Sequence, residues 1–111
     1  MLTREHLIEK LKSPEVRTYF QSHGFSRVSL FGSYAREDYT SESDVDLFVE
    51  HGDRGFTIFD LFHSETEIAE KLGVKEVQIT VKPKHAMTRY DRFQKHIASD
   101  LIPIQIGRAH V

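Results

Sequence analysis

Residues 26–50 read SRVSLFGSYAREDYTSESDVDLFVE, and their reading decides the fold. At the start, Val28 and Leu30 alternate with Arg27 and Ser29, the period-two pattern of a half-buried strand over 26–31 that ends at Gly32. At the end, over 44–50, Val45, Leu47 and Val49 take one face while Asp44, Asp46 and Phe48 take the other. The polar run from Glu37 to Ser43 separates the two, so the stretch reads as two strands joined by a loop that opens on Gly-Ser.

On the N-terminal side, Leu7, Ile8 and Leu11 recur at helical spacing behind Thr3 as N-cap, predicting a helix over about 3–12. Ser13-Pro14 supplies a second cap with proline at the first helical position; Val16, Tyr19 and Phe20 form the apolar stripe and Gly24 stands where the helix ends. On the C-terminal side, Ile58, Leu61, Phe62, Ile68, Ala69 and Leu72 follow the 3.6-residue period from Thr57 to Leu72, and Gly73 stands where a C-terminal cap belongs. Val77, Ile79 and Val81 alternate with Glu76, Gln78 and Thr80, giving a third strand that Pro83 stops, and a last helix is expected over about 85–99. The order helix, helix, strand, strand, helix, strand, helix implies an α/β (α+β) fold: a small mixed β-sheet with helices packed on it.

The chain has 111 residues, 39% of them hydrophobic and 29% charged, which matches one globular domain and leaves no room for a second. It has no cysteine, so disulfides, thiolate metal sites and thiol nucleophiles are excluded and any chemistry must come from oxygen and nitrogen groups. No apolar run approaches the roughly 18 residues of a membrane span, and the charged start, Met1 to Lys12, does not resemble a signal peptide, so a cytoplasmic location is expected. A formal net charge of -2 with interspersed signs argues against general nucleic-acid binding, so any nucleotide partner should be small. The histidines at 6, 23, 51, 63, 85, 96 and 110 include no pair at a ligand-like i, i+4 spacing and read as surface or structural.

Within the loop, Gly32 lets the backbone approach a ligand closely, and a helical turn starting at Ser33 would offer free N–H groups and a hydroxyl to a phosphate, with Arg36 adding a bidentate contact. Asp44 and Asp46, two apart on a strand, project from one face with Cα atoms roughly 6–7 Å apart. Hard Mg²⁺ prefers such carboxylate and phosphate oxygens, and without a cation the two acids repel each other. Taken singly, a Gly-Ser is usually a turn, an Asp-x-Asp a solvated strand end, and a lone arginine a solvated charge; the combination is what carries information.

GSYAR, then DVDLFV with ten residues between Ser33 and Asp44, resembles the signature of the minimal nucleotidyltransferases of the DNA polymerase beta superfamily. The resemblance covers roughly residues 20–82 and implies the polymerase beta-like nucleotidyltransferase fold. It also implies that Gly32 and Ser33 hold a nucleoside triphosphate, that Asp44 and Asp46 bind Mg²⁺ and are catalytic, and that a nucleotidyl group, AMP from ATP, passes to a hydroxyl as pyrophosphate leaves. Small single-domain members of that family act as antitoxins on a HEPN-type ribonuclease toxin, which is the partner the resemblance implies. Two departures stand out. Where the family carries a third carboxylate on the next strand, this chain has Gln78, with Glu76 two residues earlier on the same face as a substitute; and Glu37 stands where glycine commonly follows the arginine. Gln78 is the poorer ligand, so the alternative expectation is a catalytically weak antitoxin that neutralises its partner by binding. A third alternative is a piece of a larger nucleotidyltransferase. Residues 1–105 are expected to form the domain. The end, IGRAHV over 106–111, looks like a translated sequencing adapter and is expected to be non-native.

Overall fold

The computed structural model describes residues 2–52, 56–82 and 100–106. Two helices come first, α1 (Arg4–Leu11) and α2 (Pro14–Ser22), followed by β1 (Phe25–Phe31), the single turn α3 (Ser33–Arg36) and β2 (Val45–His51). Then follow α4 (Ile58–Leu72), β3 (Val77–Val81) and β4 (Ile102–Ile104). The expected last helix lies outside the described residues.

Local capping chemistry sets the helix starts. Thr3 Oγ1 accepts from the His6 N–H at 3.2 Å, Ser13 caps α2 ahead of Pro14, and Thr57 with Asp60 forms a reciprocal capping box at α4. Gly73, in the left-handed region at φ 71°, closes α4.

The sheet is mixed, in the order β3-β2-β1-β4. β1 is antiparallel to both β2 and β4, and β2 is parallel to β3 with α4 as the crossover. β2 is therefore a central strand: Val45, Leu47 and Val49 are fully buried, and Phe48 on the opposite face is only 8% exposed. Leu7, Leu11, Phe20, Leu30, Leu47, Ile68 and Leu72 form the centre of one core between helices and sheet. Each such side chain, taken out of water, contributes about 1.5–3 kcal/mol.

Two sequence expectations are corrected here. β4 was not foreseen: Ile102-Pro103-Ile104 has no readable alternation over three residues and exists because Val28, Ser29 and Leu30 of β1 pair with it. And the apolar stripe of α4 does not all face the core. Ser64, Ile68, Ala69 and Leu72 are buried, but Ile58 and Phe62, assigned to the same stripe, are 59% and 55% exposed, as is Phe59 at 79%. At about 100° per residue Phe62 stands two turns before Ala69 on the same line of the helix, so its exposure comes from its place in the first half of α4 and not from its angle.

Candidate functional site

The junction of β1, α3 and β2 is built around one close approach. Gly32 has φ 78° and ψ −153°, a conformation essentially reserved for glycine, and it turns the chain sharply from the end of β1 into α3. In the antiparallel register Phe31 lies opposite Asp46, so the Asp46 side chain stands over Gly32. A Cβ at position 32 would fall 2.3 Å from Asp46 Oδ2 and 3.0 Å from its Cγ, closer than real contacts allow. The space a side chain would fill is occupied by the carboxylate.

α3 follows directly, as expected of a helical turn starting at Ser33. Its first i→i−4 bond runs from Arg36 N–H to the Gly32 carbonyl at 3.0 Å, so the N–H groups at its opening precede the helical ladder. The turn ends at Glu37, a non-glycine residue at φ 67°, which shows what the departure at this position means: the backbone keeps a left-handed conformation with a β-carbon in it. Neighbouring contacts hold it there. Asp38 N–H donates to the Ser33 carbonyl at 3.1 Å, Arg4 pairs with Glu37 at 3.2 Å and donates to the Ala35 carbonyl at 3.1 Å, and the rings of Tyr34 and Tyr39 stack with centroids 4.4 Å apart. Arg4, Asp38 and Tyr39 escaped the sequence reading, because nothing periodic marks residues that act from α1 or from a loop.

Across the sheet, Asp46 of β2 faces Gln78 of β3 in the parallel register, and the Val45 N–H donates to the Glu76 carbonyl at 3.1 Å. Gln78 reaches past Asp46: its Nε2 donates to Asp44 Oδ2 at 3.2 Å. Burial raises the Asp46 carboxyl above the usual carboxylate range; Asp44 and, less, Glu76 push the same way, while Arg36 opposes them. Arg36 is thus near enough to act on Asp46, though its Nε is bonded to Asp38 at 3.3 Å. Beside Asp44 runs an open groove over Tyr34, lined by Glu42, Ser43, Val74, Lys75 and Glu76.

The structure thus brings Gly32, Ser33, Asp44, Asp46 and Gln78 to one end of the sheet. Among the described residues no three His, Asp or Glu side chains are grouped so as to hold a metal; Glu76 lines the same groove as Asp44. Two carboxylates beside the opening of a helical turn fit Mg²⁺, which is commonly held by one or two carboxylates together with substrate phosphates and water. At the other end of the sheet, His23 stacks on Tyr19 with centroids 3.9 Å apart, His51 stacks on Phe56 at 4.0 Å, and His63 bonds Glu67 at 2.6 Å. No described helix is long and apolar enough to cross a membrane.

Comparison with known proteins points the same way as the geometry. A family model described as nucleotidyltransferase domain matches residues 8–102. Two relatives from Methanocaldococcus jannaschii, MJ0435 and MJ1379, are each named as a candidate protein adenylyltransferase. MJ0435 is 46% identical over 57 residues, which are 51% of this chain and 59% of the relative. MJ1379 is 40% identical over 76 residues, covering 68% of this chain and 72% of the relative. A solved structure of a candidate minimal nucleotidyltransferase superposes with a TM-score of 0.65 at 30% identity, covering 86% of this chain and 94% of that one.

Proposed function

Because the chain belongs to the nucleotidyltransferase domain family, we propose that it transfers AMP from ATP to a hydroxyl on a partner protein, with Asp44 and Asp46 as its catalytic acids. The observation that carries this reading is the seating of Asp46 directly over Gly32, beside Ser33, with Asp44 next to it. The Ser33 hydroxyl and the leading N–H groups of α3 hold the triphosphate, and Arg36 adds positive charge beside them. Asp44 and Asp46 hold Mg²⁺. When bound, the cation neutralises charge on the phosphates and on the leaving pyrophosphate. The acceptor hydroxyl approaches along the groove beside Asp44. Its oxygen bonds to the α-phosphorus as the bond to the bridging oxygen breaks; pyrophosphate leaves with the electron pair and the hydroxyl proton passes to water.

The partner in this proposal is a HEPN-type toxin, met in the cytoplasm; the likeness to a minimal nucleotidyltransferase supports the small single-domain form, and the names of the two relatives support a protein acceptor. The test incubates the protein with labelled ATP, Mg²⁺ and the toxin encoded beside it. Label on the toxin that disappears with Asp44→Asn is the expected result; no label above that variant rejects the proposal.

Gln78 favours a second reading, in which the chain neutralises its partner by binding and turns over slowly. There Asp44→Asn still neutralises, so toxicity that returns with this variant argues for transfer.

A further inference from the structure

We infer that this centre takes a single divalent cation, shared by Asp44, Asp46 and the nucleotide phosphates, and that Gln78 sets that number; the inference rests on the nucleotidyl transfer proposed above. Gln78 Nε2 lies 3.2 Å from Asp44 Oδ2. A carboxylate oxygen only accepts, so the amide turns its N–H to Asp44 and its carbonyl oxygen away from that acid. One lone pair of Asp44 is therefore taken by a neutral donor, and the acid is oriented before any cation arrives. In this arrangement Gln78 is a positioning residue.

Position 78 is also the place from which a third carboxylate would face the pair, because its Cα partner in the parallel register is Asp46 and its side chain reaches Asp44. Two ions about 3.5–4 Å apart repel strongly and need several anionic oxygens between and around them. Here the protein offers two acids, a formal charge that one Mg²⁺ balances, and no third acid is grouped with them among the described residues. The residue at the decisive position contributes a donor where a second ion would need an acceptor. Gln78 is exposed, so its replacement leaves the core untouched.

The test counts Mn²⁺ by electron paramagnetic resonance and calorimetry in the presence of saturating α,β-methylene-ATP, for the wild type, Gln78→Glu and Gln78→Asp. One Mn²⁺ per chain in the wild type, rising to two in either acidic variant, is the expected result. Two in the wild type overturns the inference and leaves the proposed transfer standing. One in all three proteins also overturns it, because the side chain at 78 then does not set the number. Failure of the wild type to bind nucleotide or Mn²⁺ at all overturns both the inference and the function on which it rests.

Discussion

Replacing Gly32 with alanine tests the geometry of the centre without touching any group that performs chemistry. Two costs add. At φ 78° and ψ −153° a β-carbon is strained, and residues held in such regions cost about 1–3 kcal/mol. The new methyl also meets Asp46 Oδ2 at 2.3 Å, so the carboxylate must retreat by about 1 Å to reach the ordinary 3.4 Å contact. Overpacking of this kind costs about 1–3 kcal/mol, less where the side chain can rotate away. A total of about 2–4 kcal/mol leaves a domain of ordinary stability folded at 25 °C. At about 4–8 °C per kcal/mol it lowers the melting temperature by roughly 8–32 °C. The displaced acid no longer faces the triphosphate turn, and a misplacement of about 1 Å weakens catalysis by on the order of 100-fold. Thermal melts and calorimetry with Mg²⁺ and α,β-methylene-ATP read both effects. Two other glycines serve as controls. Gly73→Ala puts a β-carbon at φ 71° but only 3.5 Å from Lys10 Nζ, so it loses about 1 kcal/mol of stability and no nucleotide binding. Gly52→Ala meets nothing within 4 Å and leaves both readouts unchanged. If Gly32→Ala melts within a degree of the wild type, or binds the nucleotide as well, Asp46 does not sit over Gly32 and the reasoning fails.

Asp46→Asn should melt above the wild type at neutral pH in metal-free buffer while losing nucleotide-dependent stabilisation, because the folded state holds this carboxylate at a cost from burial and from Asp44. Since the folded pKa is the higher one, that cost is fully present above it and disappears as pH falls through the ordinary carboxylate range. The advantage of the variant should therefore shrink in acid, and an advantage that grows there contradicts the assignment. Glu37→Gly relieves a left-handed β-carbon worth about 1 kcal/mol, whereas Glu37→Ala keeps it, and both lose the exposed pair with Arg4. The glycine variant should consequently unfold at higher urea than the alanine variant, and equal midpoints would refute the strain. Phe62→Ser, at a side chain 55% exposed, should change unfolding free energy by no more than about 0.5 kcal/mol. Ile68→Ala, at a fully buried one, should cost about 2–5 kcal/mol. Equal losses in urea titrations would mean that Phe62 is packed after all.

What could be read from the sequence was local. Thr3, Ser13, Thr57 and Gly73 mark helix ends because their side chains, or the lack of one, act on N–H groups and dihedrals a few residues away. The strands around the loop were legible because burial on one face leaves a period of two. What failed depended on partners far along the chain. β4 is a strand only by virtue of β1, and Pro103 at its centre removes a donor that an ordinary strand would use. The exposed start of α4 has the same composition as its buried end, and only the position of the sheet separates Phe62 from Ile68. Glu37 is a third instance: the sequence shows the missing glycine, but not that Arg4, thirty-odd residues earlier, braces the conformation it leaves behind.

The two aspartates show most clearly where local pattern hands over to tertiary structure. As a sequence they are equivalent, two acids on one face of a strand. In the fold they differ: Asp46 is partly desolvated over Gly32, and Asp44 is bonded to Gln78. The difference arises from register. Phe31 pairs with Asp46 because Leu30 pairs with Leu47 and Val28 with Val49, side chains that are almost wholly buried on the core face. A slip of one residue would bring Val45 or Leu47 opposite Phe31, turning that face of β2 to solvent and the acids into the core, and the burial of three aliphatic side chains weighs against it. The alternation that builds the core is therefore also what aims the carboxylate at the turn. By this logic a cavity at Leu47, which bears no chemistry, loosens the same pairing that seats Asp46 and reaches the site through the sheet.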